Sequence, residues 1–277
     1  MKFILATLVP PIVLAYLGGW LMRHVAPRLG WLDRPGGRKI HTQPMPTSGG
    51  LAVWVAVVGV FAGGQAMLAW LKATGQLQLP APSIAGVPMP QFAVPHLAGL
   101  WAQSGKLWTL LGGGTVLMIL GWLDDRRPVD WRVRLAVETL VAVVLVAMGW
   151  RLSLFIENVW ITGAASVLWI VALVNAFNML DNMDGLSAGV AAIAAGMLAG
   201  VLLMVPNPQS QAPQFFVAGF LLVLVGALMG FLWHNRPPAR LFLGDAGSYL
   251  VGFWIAMATL SATFVVLEDG QPKRHAI

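Results

Sequence analysis

The chain has 277 residues, of which 58% are hydrophobic and only 10% charged, and its mean hydropathy is +0.75. A water-soluble domain carries roughly 25% charged residues, so composition excludes an ordinary globule and indicates a single integral membrane domain over residues 1–277. The formal charge of +6 does not point to nucleic acid, because the basic residues sit in short segments between apolar runs, and the absence of cysteine excludes disulfides and thiolate metal ligands.

A window of about 19 residues picks out eight apolar runs in chain order, near 3–22, 48–71, 107–123, 135–150, 159–180, 185–205, 215–233 and 248–267. The first follows only Lys2, exceeds the core of a signal peptide and is expected to be a retained span. Hydrocarbon tolerates only helices or closed barrels, and no run alternates with a period of two. The fold is therefore expected to be all-α, a polytopic transmembrane helical bundle of about eight spans. The run at 135–150 is the least secure, being short and interrupted by Glu138. The segment 72–106 carries five prolines and no acidic residue, which predicts an irregular external loop. Glycine pairs four residues apart, Gly185 with Gly189, Gly196 with Gly200 and Gly226 with Gly230, predict notches for helix packing.

Eleven Lys and Arg residues fall in segments 23–47, 124–134 and 234–247, against six on the opposite face. This bias predicts that the three segments are cytoplasmic and that both termini are outside. The same parity collects Asp33, then Asp124, Asp125 and Asp130, then Asp181 and Asp184, then Asp245 on one face, leaving only Asp269 in the tail. None of the glutamates, Glu138, Glu157 and Glu268, joins them. Ionised groups held close to a membrane in short loops mark functional sites. Carboxylates with Lys39 and several arginines nearby suit Mg²⁺ and phosphate. Asp33 and Asp130 are expected to pair with arginines or cap helices, Arg126 and Arg127 to meet lipid headgroups, and His234 to sit at the interface.

In "NAFNMLDNMDGLSAG", residues 175–189, the polar side chains Asn175, Asn178, Asp181 and Asp184 recur every third position. Each step of three turns a helix by about 300°, so one straight helix cannot aim all four at one point. Either the helix end tightens, or it stops near Asp181 and a turn before Gly185 brings Asp184 around. Asp124 and Asp125 would diverge by about 100° on a helix, so one faces the site while the other supports it.

Together with "GWLDDRRPVD", "HNRPPARLFLGDAGS" and "DRPGGRKIHTQPMPTSGG", this stretch resembles the polyprenyl-phosphate N-acetylhexosamine-1-phosphate transferases, glycosyltransferase family 4, from about Asp33 to the last span. The resemblance, closest in wording to the UDP-GlcNAc branch, implies transfer of a sugar 1-phosphate from a UDP-sugar to undecaprenyl phosphate. UMP is released, for cell-envelope polysaccharide synthesis. It implies a multi-pass protein of the inner (plasma) membrane with a cytoplasmic active site, and leaves room for a homodimer. Carried over by position, Asp124, Asp125 and Asp245 are catalytic, Asp245 and Asp184 hold Mg²⁺ (Mn²⁺ is the alternative ion), and Lys39, His41, Asn175, Asn178, Asp181 and Asp184 bind substrate. A phosphate monoester with a second pKa of about 6 is already largely dianionic at neutral pH, so the aspartate pair suits positioning as well as general-base work. Two departures stand out: Asn182 replaces a usual glycine, and the chain ends before the family's H-x-H-H-like loop. The rival readings are a relative that binds lipid phosphate without turnover and an ion-coupled transporter, although a transporter gathers its carboxylates at the bilayer midplane.

Overall fold

Each of the eight apolar runs folds as a helix in the computed structural model, which describes residues 2–33, 43–80, 82–84, 86–91, 93–152, 156, 158–205, 213–262, 265–268 and 271–274. The helices are α1 (Lys2–Arg28), α2 (Gly49–Ala73), a short α3 (Leu97–Ala102), α4 (Ser104–Asp124), α5 (Trp131–Ala147), α6 (Val159–Leu180), α7 (Leu186–Met204), α8 (Phe215–Asn235) and α9 (Gly244–Ser261). Six of them, α1, α2, α4, α6, α7 and α8, are long and apolar enough to cross a membrane. The chain is therefore a polytopic helical bundle. The two remaining long helices differ from the expected spans for separate reasons. Helix α5 has 17 residues, about 26 Å at 1.5 Å per residue.

Helix α9 carries Asp245, Ser248 and Tyr249 near its start, yet nearly every residue after Asp245 is buried. It packs against α2, α4, α6, α7 and α8. A helix wrapped by protein needs no lipid-facing apolar stripe, so its hydropathy is free to fall. Helix α9 also stops at Ser261, and Val265–Glu268 then pairs with Gln271–Arg274, so the run expected to reach 267 is shorter.

Close approach of helix backbones explains part of the glycine pattern. A Cβ on Gly226 or Gly230 would lie 2.5 Å from the Leu8 carbonyl or 2.2 Å from that of Ile12, so this pair is the notch that seats α1 on α8. The other two pairs are not notches. Gly189 and Gly200 have nothing within 4 Å, Gly196 has only Val225 at 3.9 Å, and Gly185 serves a turn with φ of 73°.

The segment 72–106 is more ordered than its prolines suggested. Leu77, Ile84, Met89 and Trp101 close over Leu68, Leu71 and Leu97 as a small separate core. That apolar surface folds the segment back onto the end of α2.

Candidate active site

Three helix ends and two loops meet at one end of the bundle. Helix α6 stops at Leu180; the Asp181 amide bonds the Asn178 carbonyl at 3.2 Å, a tightened last turn, and Asp181 itself leaves helical geometry at φ −79°, ψ 45°. Gly185, left-handed at φ 73°, opens α7, and its N–H donates to the Asn235 side chain at 3.0 Å. Both devices expected from the three-residue spacing are present, a tightened end and a turn. Asn182, where a glycine was usual, lies exposed inside this turn.

Asn178 turns toward α9. Its amide donates to Asp245 at 2.6 Å and to Ser248 at 3.3 Å. These two bonds join the ends of α6 and α9, and Asp181 sits beside the Gly244 N–H that opens α9. Asp125, just past the end of α4, accepts from the N–H of Asp245 at 2.9 Å and of Ala246 at 3.2 Å. It therefore caps α9, where orphan amides and the helix dipole favour a carboxylate.

This arrangement depends on glycines. A Cβ on Gly121 would lie 2.3 Å from the Asp245 carbonyl, and one on Gly50 2.2 Å from the Gly247 nitrogen. Gly244 itself is left-handed at φ 74°, with Thr47 and Asp125 oxygens where a Cβ would go.

The segment between α1 and α2 is tied to the same place. Phe242 donates to the Pro46 carbonyl at 2.8 Å, while Gly49 and Gly50 donate to Phe242 and Leu243 at 3.0 and 2.9 Å. Its ends pair as a minimal antiparallel ladder, Leu32 with Pro46 and Asp33 with Met45. The Arg126 guanidinium lies over the Trp122 and Trp31 rings, 3.2 and 3.9 Å from their centroids, and links α4 to this loop. Lys39 and His41 lie outside the described residues.

The remaining sequence candidates are held by partners of their own, Asp124 while still bordering the Asp245 carboxyl. Asp184 accepts from the Ala239 N–H at 2.8 Å, holding the loop between α8 and α9. Asn175 faces α5, where it donates to the buried Glu138 at 2.5 Å; one turn before Asn178, it bonds a different helix. Asp124 has both oxygens occupied, by the Val129 N–H at 2.7 Å, Arg134 at 2.7 Å and the Tyr249 hydroxyl at 3.0 Å. Asp130 caps α5 through the Arg132 N–H at 2.8 Å, as expected. His234 is buried against α1, with its ring stacked on Tyr16 and Nε2 2.9 Å from the Tyr16 carbonyl, and is no interfacial side chain.

Asp125, Asp181 and Asp245 are left facing one another. Burial pushes the Asp125 carboxyl well above the usual range, reinforced by Asp245 and Asp181 and opposed by its two N–H donors. Burial, and then Asp245, raises Asp181 to about 7, opposed by the Gly244 N–H. Among the described residues the ion pair seen is Arg134 with Asp124, at 2.7 Å, and it leaves these three without such a partner. No group of three or more His, Asp or Glu side chains among the described residues is already gathered as a metal site. Hard carboxylate oxygens that repel one another nevertheless match the donor chemistry of Mg²⁺, which commonly takes one or two carboxylates and completes its shell with water and substrate phosphates.

Sequence reasoning passed over Arg134, Glu138, Ser248 and Tyr249. Two of these carry a positional signal: Tyr249 is four residues after Asp245 and Arg134 four before Glu138, each pair sharing one helix face.

Fold and site together define a polytopic helical membrane protein with an acidic cluster at one end of its bundle. The glycosyl transferase family 4 model matches residues 107–263, which include α5 to α9, all but the first three residues of α4 and every described residue of the cluster, and the chain belongs to this family. A probable undecaprenyl-phosphate N-acetylglucosaminyl 1-phosphate transferase of Bacillus subtilis is 26% identical over 249 residues, covering 87% of this chain and 58% of the relative. A decaprenyl-phosphate N-acetylglucosaminephosphotransferase of Mycobacterium tuberculosis is 30% identical over 276 residues, covering 95% and 61%. The undecaprenyl-phosphate alpha-N-acetylglucosaminyl 1-phosphate transferase of Escherichia coli K12 is 25% identical, covering 92% and 59%. The chain thus spans about three fifths of the length of these relatives.

Proposed function

We propose that the protein transfers N-acetylglucosamine 1-phosphate from UDP-GlcNAc to undecaprenyl or a similar polyprenyl phosphate, releasing UMP, at the cytoplasmic face of the plasma membrane. The observation that carries this reading is the convergence of Asp125, Asp181 and Asp245, from the ends of α4, α6 and α9, with no ion-paired cation among the described residues. Isolated carboxylates brought together out of water are costly, and a divalent ion with a pyrophosphate removes that cost. The transferase activity named for the relatives supports the same chemistry, and the Lys and Arg bias supports the orientation.

Asp245 and Asp181 are the residues that would hold Mg²⁺. The ion, when bound, neutralises charge on the diphosphate and on the departing UMP. The protein's own residues hold the frame. Asn178 fixes one Asp245 oxygen, Asp125 fixes the first turn of α9, and Asp184 fixes the loop between α8 and α9. An oxygen of the lipid phosphate attacks the phosphorus attached to the sugar, the bond from that phosphorus to the UMP oxygen breaks, and UMP carries away the electron pair. No protein base is needed for a lipid phosphate that is already a dianion. Asp125 is occupied with backbone N–H groups, and its role is positional.

The test supplies purified protein with undecaprenyl phosphate, Mg²⁺ and UDP-GlcNAc labelled at the sugar-linked phosphorus. The label is expected to enter the organic phase as a lipid pyrophosphoryl sugar. Label released as orthophosphate, or left in UDP-GlcNAc, would refute the reading.

A further inference from the structure

The aspartate pair after α4 grips α9 at two points. Asp125 holds the amides of Asp245 and Ala246. Asp124 holds the side chain of Tyr249, whose hydroxyl donates to it at 3.0 Å. Tyr249 is four residues beyond Asp245, so it stands on the same face of α9, about 6 Å further along the axis. Adjacent side chains diverge on a helix, and Asp125, still helical at φ −54°, ψ −22°, keeps that divergence, so the pair meets α9 at two levels, its first amides and Tyr249.

The second grip is completed from α5. One Arg134 nitrogen donates to Asp124 at 2.7 Å and to the Tyr249 hydroxyl at 3.1 Å. The hydroxyl therefore accepts from Arg134 and donates to Asp124, and its capacity is filled. Val129 supplies the donor for the other Asp124 oxygen at 2.7 Å. Three protein donors fix the orientation of the Asp124 carboxylate.

One turn along, Arg134 is followed on the same face of α5 by buried Glu138, which is held by Asn175 of α6. Helix α5 thereby ties α4 and α9 to α6, the helix whose end carries Asn178.

We propose that Arg134 and Tyr249 are positioning residues of the transfer reaction: with Asp124 they lock the rotation and register of α9, and so fix the direction of Asp245. Asp124 belongs to this lock. Asp245, held at one oxygen by Asn178, is aimed by it. The proposal rests on the transfer reading only for its kinetic arm.

The test combines hydrogen exchange with steady-state kinetics on Tyr249→Phe, Arg134→Gln and Arg134→Lys. Tyr249→Phe deletes one hydroxyl and keeps the ring, so it carries the test even if Arg134→Gln fails to fold. Amide exchange over residues 245–250 is expected to rise at least about tenfold in Tyr249→Phe and Arg134→Gln, while α1 and α8 keep native protection. Turnover is expected to fall about 10- to 100-fold with the KM for UDP-sugar within about twofold. Arg134→Lys, which keeps a charged donor, recovers most of both. Because the two residues act as one unit, the double variant Arg134→Gln/Tyr249→Phe loses no more than about threefold beyond the worse single. Native exchange in Tyr249→Phe, or losses that multiply in the double variant, would overturn the proposal. Absence of transfer by the native protein would refute the transfer reading instead, and exchange would still decide the lock.

Discussion

Proton and metal should compete for Asp181. Burial and the neighbouring Asp245 hold its carboxyl at about 7, so below neutral pH a divalent ion must displace a proton to bind. Asp125 past α4, Asp245 and the Gly244 N–H of α9, and Asn178 of α6 are the polar groups that face one another around it. For one displaced proton, the apparent dissociation constant rises by a factor of 1 + 10^(pKa − pH). With a pKa of about 7, Mg²⁺ or Mn²⁺ should bind about 30-fold more weakly at pH 5.5 than at pH 8, and any proton shared with the other carboxylates adds to this. Mn²⁺ titration followed by electron paramagnetic resonance on detergent-solubilised protein measures the constant across that range. Asp181→Asn should bind more weakly at pH 8 and lose the part of the pH dependence that belongs to Asp181. Native affinity independent of pH, or an unchanged slope in Asp181→Asn, would show that Asp181 is not titrating against the metal.

The same raised carboxyl has a stability consequence. Between about 3.8 and about 7 the native state holds a proton that the unfolded chain has released, so this contribution is lost as pH rises through that window. Thermal midpoints of metal-free protein should fall from pH 5.5 to pH 8, and Asp181→Asn should flatten that fall. Gly121→Ala places a Cβ 2.3 Å from the Asp245 carbonyl; overpacking of about 1–3 kcal/mol should push α9 away and lower turnover, measurable as reduced thermal stability with reduced kcat. Asn175→Ala leaves the buried Glu138 carboxyl without its amide donor, and should cost about 1–3 kcal/mol of stability with the KM for UDP-sugar unchanged; a raised KM would return Asn175 to the substrate site.

The eight long helices were legible from hydropathy because hydrocarbon leaves the backbone few alternatives, while the short α3 and the number that cross a membrane were not. Loop parity put Asp125, Asp181 and Asp245 on one face together with Asp33, Asp124, Asp130 and Asp184, and did not single the three out. What hydropathy could not show is how α9 is wrapped: its burial on all sides follows from packing partners that are distant in sequence. Equally hidden was the division of labour within the aspartate pair. Two adjacent carboxylates are chemically equal in the sequence, and only Arg134 and Tyr249, 10 and 125 residues from Asp124, distinguish them. Asn175 looked like a member of one polar series with Asn178, Asp181 and Asp184. The turn of the helix instead sends it to α5, where Glu138, the residue that made that run look doubtful, is its partner.

On the proposed function, the helix ends carrying Asp125, Asp181 and Asp245 form one phosphotransfer site in which Asp245 is indispensable. The most direct test is UMP release from UDP-GlcNAc and undecaprenyl phosphate with Mg²⁺, comparing native protein with Asp245→Asn, each shown by circular dichroism to be folded. Asp245→Asn keeps the size of the side chain and removes its charge, so native protein should release UMP and the variant should fall at least about 1,000-fold, some 4 kcal/mol of transition-state stabilisation. UMP release by folded Asp245→Asn at the native rate would show that Asp245 is dispensable and the site lies elsewhere.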